Sequence, residues 1–283
     1  MQDPIVYLNG VMTPLSEAKI PVLDRGFIFG DGVYEVIPIY AGRMFRPDQH
    51  MARLFRSLAA IGIASPHDKE GWLAIIRDVI ATAPDDGDQM VYMQVTRGVA
   101  PRRHAFPAES TPTVFIMINP YPQLTAAVLE NGVACVSMED QRWLRCEIKS
   151  TSLLGNVLAA QNAAEQEATE SIQFRDGYLT EGSASNVWLV KNGAVSGPQK
   201  NNLILEGIRY GLMEELCEAQ GIALSARRIL RQEVLEADEI LLTSASREVT
   251  AVTMLDGAPV GNGKPGPVWQ RLYAAYQAAK RAD

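Results

Sequence analysis

Apolar residues alternate with polar ones in some stretches of the chain and recur every third or fourth position in others, which separates strands from helices. "IVYLNGVMTP" (5–14) sets an Asn-Gly turn between two apolar runs and predicts a hairpin, and "VYEVIPIYAGRMF" (33–45) repeats the pattern around Ala41-Gly42. Over 46–63, Met51, Leu54, Phe55, Leu58 and Ile61 keep a helical period, with Asp48 as the capping acid. A second helix over 68–83 puts Trp72, Ile75, Ile76 and Val79 on one face. "QMVYMQVT" (89–96) and "TPTVFIMI" (111–118) read as strands around the polar loop "RGVAPRRHAFPAES" (97–110).

"NPYPQLTA" (119–126), with two prolines, is the linker candidate. Beyond it come a strand at 132–138, an Ala-rich helix over 153–170, and hairpins turning at Asp176-Gly177 and Asn192-Gly193. A helix over 208–220, the strand "EILLTS" (239–244), a Gly/Pro loop and a terminal helix over 268–281 complete the chain. Both halves mix hairpins with helices. The pattern predicts an α/β (mixed α+β) protein of two domains, 1–120 and 121–283, with largely antiparallel sheets.

The bulk composition narrows the classes. The chain has 283 residues, 47% hydrophobic and 21% charged, with a formal net charge of -7 and a pI near 5.1. This acidic balance, without a basic aromatic-interleaved patch, argues against a nucleic-acid role. The N-terminus lacks a signal-peptide pattern, and no apolar run is long enough to span a bilayer. Cys135, Cys146 and Cys217 stand far apart and only three histidines occur, which argues against a metal site. Three core thiols suit a reducing cytoplasm. "GNGKPGP" (261–267) lacks phosphate-loop spacing and reads as a plain loop. His50 and His67 read as surface residues, and Glu165, Glu167 and Glu170 as the solvated face of their helix.

Polar features gather at predicted strand and loop ends: "RGFIFGDGVYEV", Arg53, "APRRHAFP", Lys149 inside "RWLRCEIKSTSLLGN", "TEGSASNVWL", "NLILEGIRYG" and "LLTSAS". These are the parts that hold a phosphorylated aldehyde cofactor. A neutral lysine amine can bond its carbonyl carbon. A carboxylate can keep a ring nitrogen protonated. A Gly-initiated helix start, hydroxyls and an arginine can take a phosphate.

In order and spacing these motifs resemble the fold-type IV pyridoxal-phosphate transaminases, nearly end to end, and within them the D-amino-acid transaminases. The resemblance implies a homodimeric enzyme that passes an amino group from a D-amino acid to a 2-oxo acid by way of pyridoxal 5'-phosphate. It implies that Lys149 is the Schiff-base lysine, carried by the larger C-terminal domain, and that Glu181 partners the pyridine nitrogen. Arg53 corresponds to the phosphate-binding arginine, with Arg56 as its neighbouring competitor, and Tyr34 to an active-site tyrosine beside the substrate. Arg102 and His104 correspond to the pair that grips the substrate carboxylate from the neighbouring subunit; the Arg-x-His spacing favours Arg102 over Arg103. Leu205 packs on the cofactor ring, and Ile208, Arg209 and Ser244 lie by the phosphate. The family often has a threonine where Arg209 stands and a hydroxyl where Ala245 stands. Sharing the scaffold are branched-chain L-amino-acid transaminases, aminodeoxychorismate lyases and (R)-amine transaminases; a non-catalytic binder of pyridoxal phosphate or a small acid is the alternative outside the class.

Overall fold

The computed structural model describes residues 3–83 and 87–282. The chain divides into two compact units. One holds the residues up to Tyr121 together with Ile148–Leu153, and the other holds Pro122–Glu147 and Leu154–Ala282. The division is less simple than one boundary at residue 120, because the segment bearing Lys149 groups with the first unit and not the second.

The first unit is built on a six-stranded sheet, β1 (Ile5–Leu8), β2 (Val11–Pro14), β3 (Gly32–Tyr40), β4 (Arg43–Met44), β5 (Gln89–Thr96) and β6 (Thr113–Pro120). The spatial order is β2-β1-β6-β5-β3-β4 and every pairing is antiparallel, as the hairpin turns dictate. A five-residue helix, α1 (Arg25–Phe29), precedes β3, and the helices α2 (Pro47–Ala60) and α3 (Lys69–Ile80) follow. Met51, Leu54 and Leu58 of α2 and Trp72, Ile76 and Val79 of α3 join Ile37, Val91 and Met93 in one core. Each such side chain contributes about 1.5–3 kcal/mol on leaving water. α2 begins one residue before Asp48: Pro47 takes the first helical position, where its missing N–H costs nothing, and Asp48 lies in the first turn, paired with Lys69 at 2.7 Å. α3 starts on an Asp68 cap that accepts from the Gly71 N–H at 2.8 Å.

The second unit holds a nine-stranded mixed sheet: β7 (Val133–Glu139), β8 (Glu170–Arg175), β9 (Tyr178–Gly182), β10 (Asn186–Lys191), β11 (Ala194–Pro198), β12 (Leu224–Arg227), β13 (Glu239–Ser244), β14 (Glu248–Leu255) and β15 (Ala258–Pro259). The order is β12-β11-β10-β13-β14-β7-β8-β9, with β15 on β14. β7 pairs in parallel with β8 and β14, and β11 with β12; the remaining pairs are antiparallel. Its helices are α4 (Ala126–Asn131), α5 (Leu154–Glu165), α6 (Ile208–Ala219), α7 (Arg231–Leu235) and α8 (Pro267–Ala282). α8 buries Val268, Trp269, Leu272 and Tyr276, and Glu239 accepts its first free N–H groups, from Val268 and Trp269, at 2.9 and 2.8 Å.

The short elements α1, α4, α7, β12 and β15 were not legible in the sequence, and two further departures concern β14 and α5. The stretch 248–255 is strand β14, not part of a Gly/Pro loop; Thr250 and Thr253 interrupt its apolar pattern, yet both are buried and donate to the carbonyls of Arg247 and Asn131 at 2.7 Å. α5 ends at Glu165, so Glu170 is not on a solvated helix face. It opens β8, fully buried.

Candidate active site

In the first unit, Lys149 sits half-buried in a short extended segment clamped against β3. Tyr34 N–H donates to the Lys149 carbonyl at 3.0 Å, Thr151 N–H to the Gly32 carbonyl at 3.0 Å, and Lys149 N–H to Ser57 Oγ at 3.2 Å. Ile148 is part of the unit's core. The backbone is thus fixed on both sides of the lysine, and Nζ rests 4.2 Å from the centroid of the Tyr34 ring. Tyr34 in turn stacks on Tyr92 at 5.8 Å. Burial, with Tyr34 beside it, pushes the Tyr92 hydroxyl up to about 12.

Arg53 is buried where Arg56 is exposed. Its Nε and Nη2 donate to the two oxygens of Glu35 at 2.7 and 2.8 Å, a bidentate fork. His50 is not a surface residue. It is fully buried one turn earlier on α2, its Nδ1 2.8 Å from Glu35 Oε2. Burial works against the Glu35 charge, but Arg53 and His50 outweigh it and hold the carboxyl far below its usual range.

Arg102, Arg103 and His104 are exposed, on a loop whose backbone is tied to the residues around α1. Gly26 of α1 packs so closely on Thr96 that a Cβ there would collide with its methyl group.

In the second unit, Glu181 is the penultimate residue of β9 and is buried. It forms a short ion pair with Arg142 and accepts from the Leu205 N–H at 3.0 and 3.1 Å and from Asn186 Nδ2 at 3.2 Å. Burial pushes Glu181 up to about 7, against the pull of Arg142 and the Leu205 N–H. For Arg142 burial opposes the charge, but Asp140 and Glu181 prevail and raise its pKa further. Glu170 collects the turn after Glu181: the Ser183 N–H at 2.9 Å, the Ser183 hydroxyl by a short bond, and the Ser185 hydroxyl at 2.8 Å. These bonds fix the spacing between Glu181 and Asn186.

The residues of this unit fit a phosphorylated pyridine cofactor. α6 starts on Gly207 with no side-chain cap, and the N-terminus of a helix favours an anion. A Cβ at Gly207 would collide with Asn186 Oδ1 and displace the side chain that donates to Glu181. Ser244 closes β13, its Oγ 3.5 Å from Ser246 Oγ. The Arg209 guanidinium is buried and turned to α8, donating to Tyr276 Oη at 2.6 Å and the Ala245 carbonyl at 3.4 Å. It therefore ties the start of α6 to the Ser244–Ser246 turn.

Arg142, Asp140, Glu35, His50 and Glu170 did not stand out in the sequence. The Asp140-x-Arg142 spacing just ahead of Lys149 is the one local signal among them.

Residues 32–255 match the model of the amino-transferase class IV family. The chain is similar to the D-alanine aminotransferase of Bacillus licheniformis, 40% identical over 96% of this chain and 95% of the relative. It is also similar to that of Staphylococcus haemolyticus, 38% identical over 96% of each. Among solved structures, the branched-chain amino acid aminotransferase of Escherichia coli superposes with a TM-score of 0.92 at 25% identity, covering 98% of this chain and 94% of that one. The branched-chain enzyme of T.th., solved with pyridoxamine 5'-phosphate, gives 0.91 at 23% identity, covering 100% and 95%.

Proposed function

The chain belongs to the amino-transferase class IV family, and from that membership we propose that it moves an amino group from a D-amino acid, such as D-alanine, to a 2-oxo acid, such as 2-oxoglutarate. The observation that carries the substrate class is the 40% identity to a D-alanine aminotransferase over nearly the full length of both chains. The branched-chain enzymes match at 25% identity and below, a likeness that carries the fold.

Class IV aminotransferases use pyridoxal phosphate, whose protonated ring takes up the electrons released at the substrate's α-carbon. Lys149 would hold the cofactor at its aldehyde carbon, and its amine would carry the proton that leaves the substrate's Cα. Its clamped backbone and the Tyr34 ring limit where that amine can travel. Tyr34 borders the substrate. Glu181 would face the ring nitrogen and hold its proton; a carboxyl pushed up toward neutrality is suited to a shared proton. Arg142, Asn186 and the Leu205 N–H hold its two oxygens in place. Leu205 would line the ring. Arg53, Ile208, Arg209 and Ser244 would hold the phosphate, and Arg209 keeps the start of α6 and the Ser244–Ser246 turn together through Ala245.

Arg102 and His104 bind the substrate carboxylate, and as a homodimer the protein would offer them to the neighbouring subunit's site. Exposed apolar side chains support self-association: Phe27 and Phe106 in the first unit, and Leu154, Val157 and Leu158 on one face of α5 in the second. Three buried free thiols suit the reducing cytoplasm. The experiment is turnover with matched D- and L-amino acids against several 2-oxo acids: activity confined to the D-series supports the reading, and activity confined to the L-series ends it.

A further inference from the structure

The loop that bears Arg102 and His104 is exposed, yet buried charge grips its backbone. Arg25, 3% exposed, donates from Nη1 to the Arg103 carbonyl at 2.6 Å and from Nη2 to the His104 carbonyl at 3.2 Å. Its Nε donates to Asp31 Oδ2 at 2.7 Å. Asp31 also receives Arg97, from Nε at 2.8 Å and Nη2 at 3.0 Å. Arg97 continues to the Ile61 carbonyl at 2.6 Å and lies 3.6 Å from the centroid of the Phe106 ring. Burial opposes the Asp31 charge, but the two arginines hold its carboxyl below the ordinary range.

Phe29, at the other end of α1, is a common platform. Its ring centroid lies 4.8 Å from the Arg25 guanidinium, 5.4 Å from that of Arg102 and 5.5 Å from the His104 ring. The helix itself is anchored by Asp24, which accepts from the Gly26 N–H at 2.8 Å and from the hydroxyls of Thr96 and Thr113 at 2.8 and 2.6 Å.

Two buried guanidiniums on one carboxylate are not the best use of the space for stability, since apolar packing serves as well or better. What the arginines supply is hold on specific carbonyl groups, which apolar packing cannot give. The bonds stop at the loop backbone and leave the Arg102 and His104 side chains exposed.

We infer that Arg25, together with Asp31 and Phe29, is a positioning residue: it holds the 102–104 backbone in the shape that takes a substrate carboxylate, and so sets affinity through Arg102 without touching substrate. This rests on the carboxylate role proposed above for Arg102 and His104. It also gives a purpose to most of "DRGFIFGD": Asp24 anchors, Arg25 grips, Gly26 permits close packing, Phe29 supports and Asp31 neutralises.

The test compares holoenzyme carrying Arg25→Gln, Arg102→Ala and both, with D-alanine as donor. Arg25→Gln should raise KM about ten- to a hundredfold, the scale of a displaced binding group. Its kcat and the visible band of its bound cofactor should stay near those of the parent. In the Arg102→Ala background Arg25→Gln should add little, because both act on one contact. Arg25→Lys keeps the charge but not the fork, and should recover only part of the affinity. Should Arg25→Gln fail to fold, Asp31→Asn removes the shared charge at the same shape and should show the same rise. An unchanged KM in Arg25→Gln or Asp31→Asn, alongside a raised one in Arg102→Ala, overturns the inference. So do equal, multiplying effects in both backgrounds. An unchanged KM in Arg102→Ala overturns instead the carboxylate role on which it rests.

Discussion

Arg142 and Glu181 meet in a buried ion pair, with side chains 5% and 7% exposed, and Asp140 holds the guanidinium from another side at 2.8 Å. The arginine is therefore shared between two acids, and Glu181 receives only part of its charge. That sharing leaves burial as the larger influence on Glu181, whose carboxyl is pushed up to about 7 from an ordinary 4.5.

A raised carboxyl has a definite effect on stability. Between 4.5 and about 7 the folded apoprotein keeps a proton on Glu181 that the unfolded chain has lost. Its stabilising contribution is complete below the lower value, declines as pH rises through the window, and is gone above the upper one. The gap corresponds to about 3 kcal/mol. Glu181→Gln cannot titrate. In urea unfolding of the apoproteins, the variant should gain on the parent by up to that amount as pH rises across the window. A constant difference would mean that Glu181 is ionised throughout.

Lys149→Ala should abolish turnover while the fold persists. Borohydride reduction of the parent holoenzyme, followed by peptide mapping, should place the pyridoxyl label on Lys149. Lys191 and Lys200 have other engagements, with Asp238 and Glu214, each at 3.0 Å. A label on either would end the assignment.

Glu35 shifts the opposite way from Glu181. Its folded pKa is depressed, so its contribution is present above the ordinary 4.5 and is lost as pH falls toward the folded value. Glu35→Gln strands Arg53 without its carboxylate and should cost about 3–5 kcal/mol at neutral pH. The cost should shrink in acid, below that ordinary value. Equal stability of variant and parent at neutral pH, measured by denaturant titration, would show that the fork contributes nothing to the fold.

The elements that the sequence revealed were those whose buried faces are apolar. α2 and α3 carry Met51, Leu54, Trp72 and Ile76 at helical spacing, and the β1–β2 and β3–β4 hairpins turn on Asn9-Gly10 and Ala41-Gly42. β14 was hidden because its buried threonines satisfy their hydroxyls on backbone carbonyls, Thr250 on nearby Arg247 and Thr253 on distant Asn131, so polarity did not mean exposure. His50 and Glu170 are likewise polar yet buried: His50 meets Glu35 15 residues away, and Glu170 meets Ser183 and Ser185 13 and 15 residues away, beyond what a local pattern displays. Lys149, Tyr34 and Glu181 stood out through their motif neighbours. Arg142 and Arg25 lie in those same motifs, but their partners could be recognised only once β9, α1 and the 97–106 loop were folded.

Transfer of the amino group from D-alanine can be observed by itself. Purified holoenzyme mixed with D-alanine alone, without a 2-oxo acceptor, isolates that half-reaction. The cofactor's visible band should be lost and about one pyruvate released per subunit, the stoichiometry of a covalent half-reaction in a ping-pong cycle, with L-alanine leaving both unchanged. Bleaching and pyruvate release with L-alanine but not with D-alanine would contradict transfer from the D-amino acid.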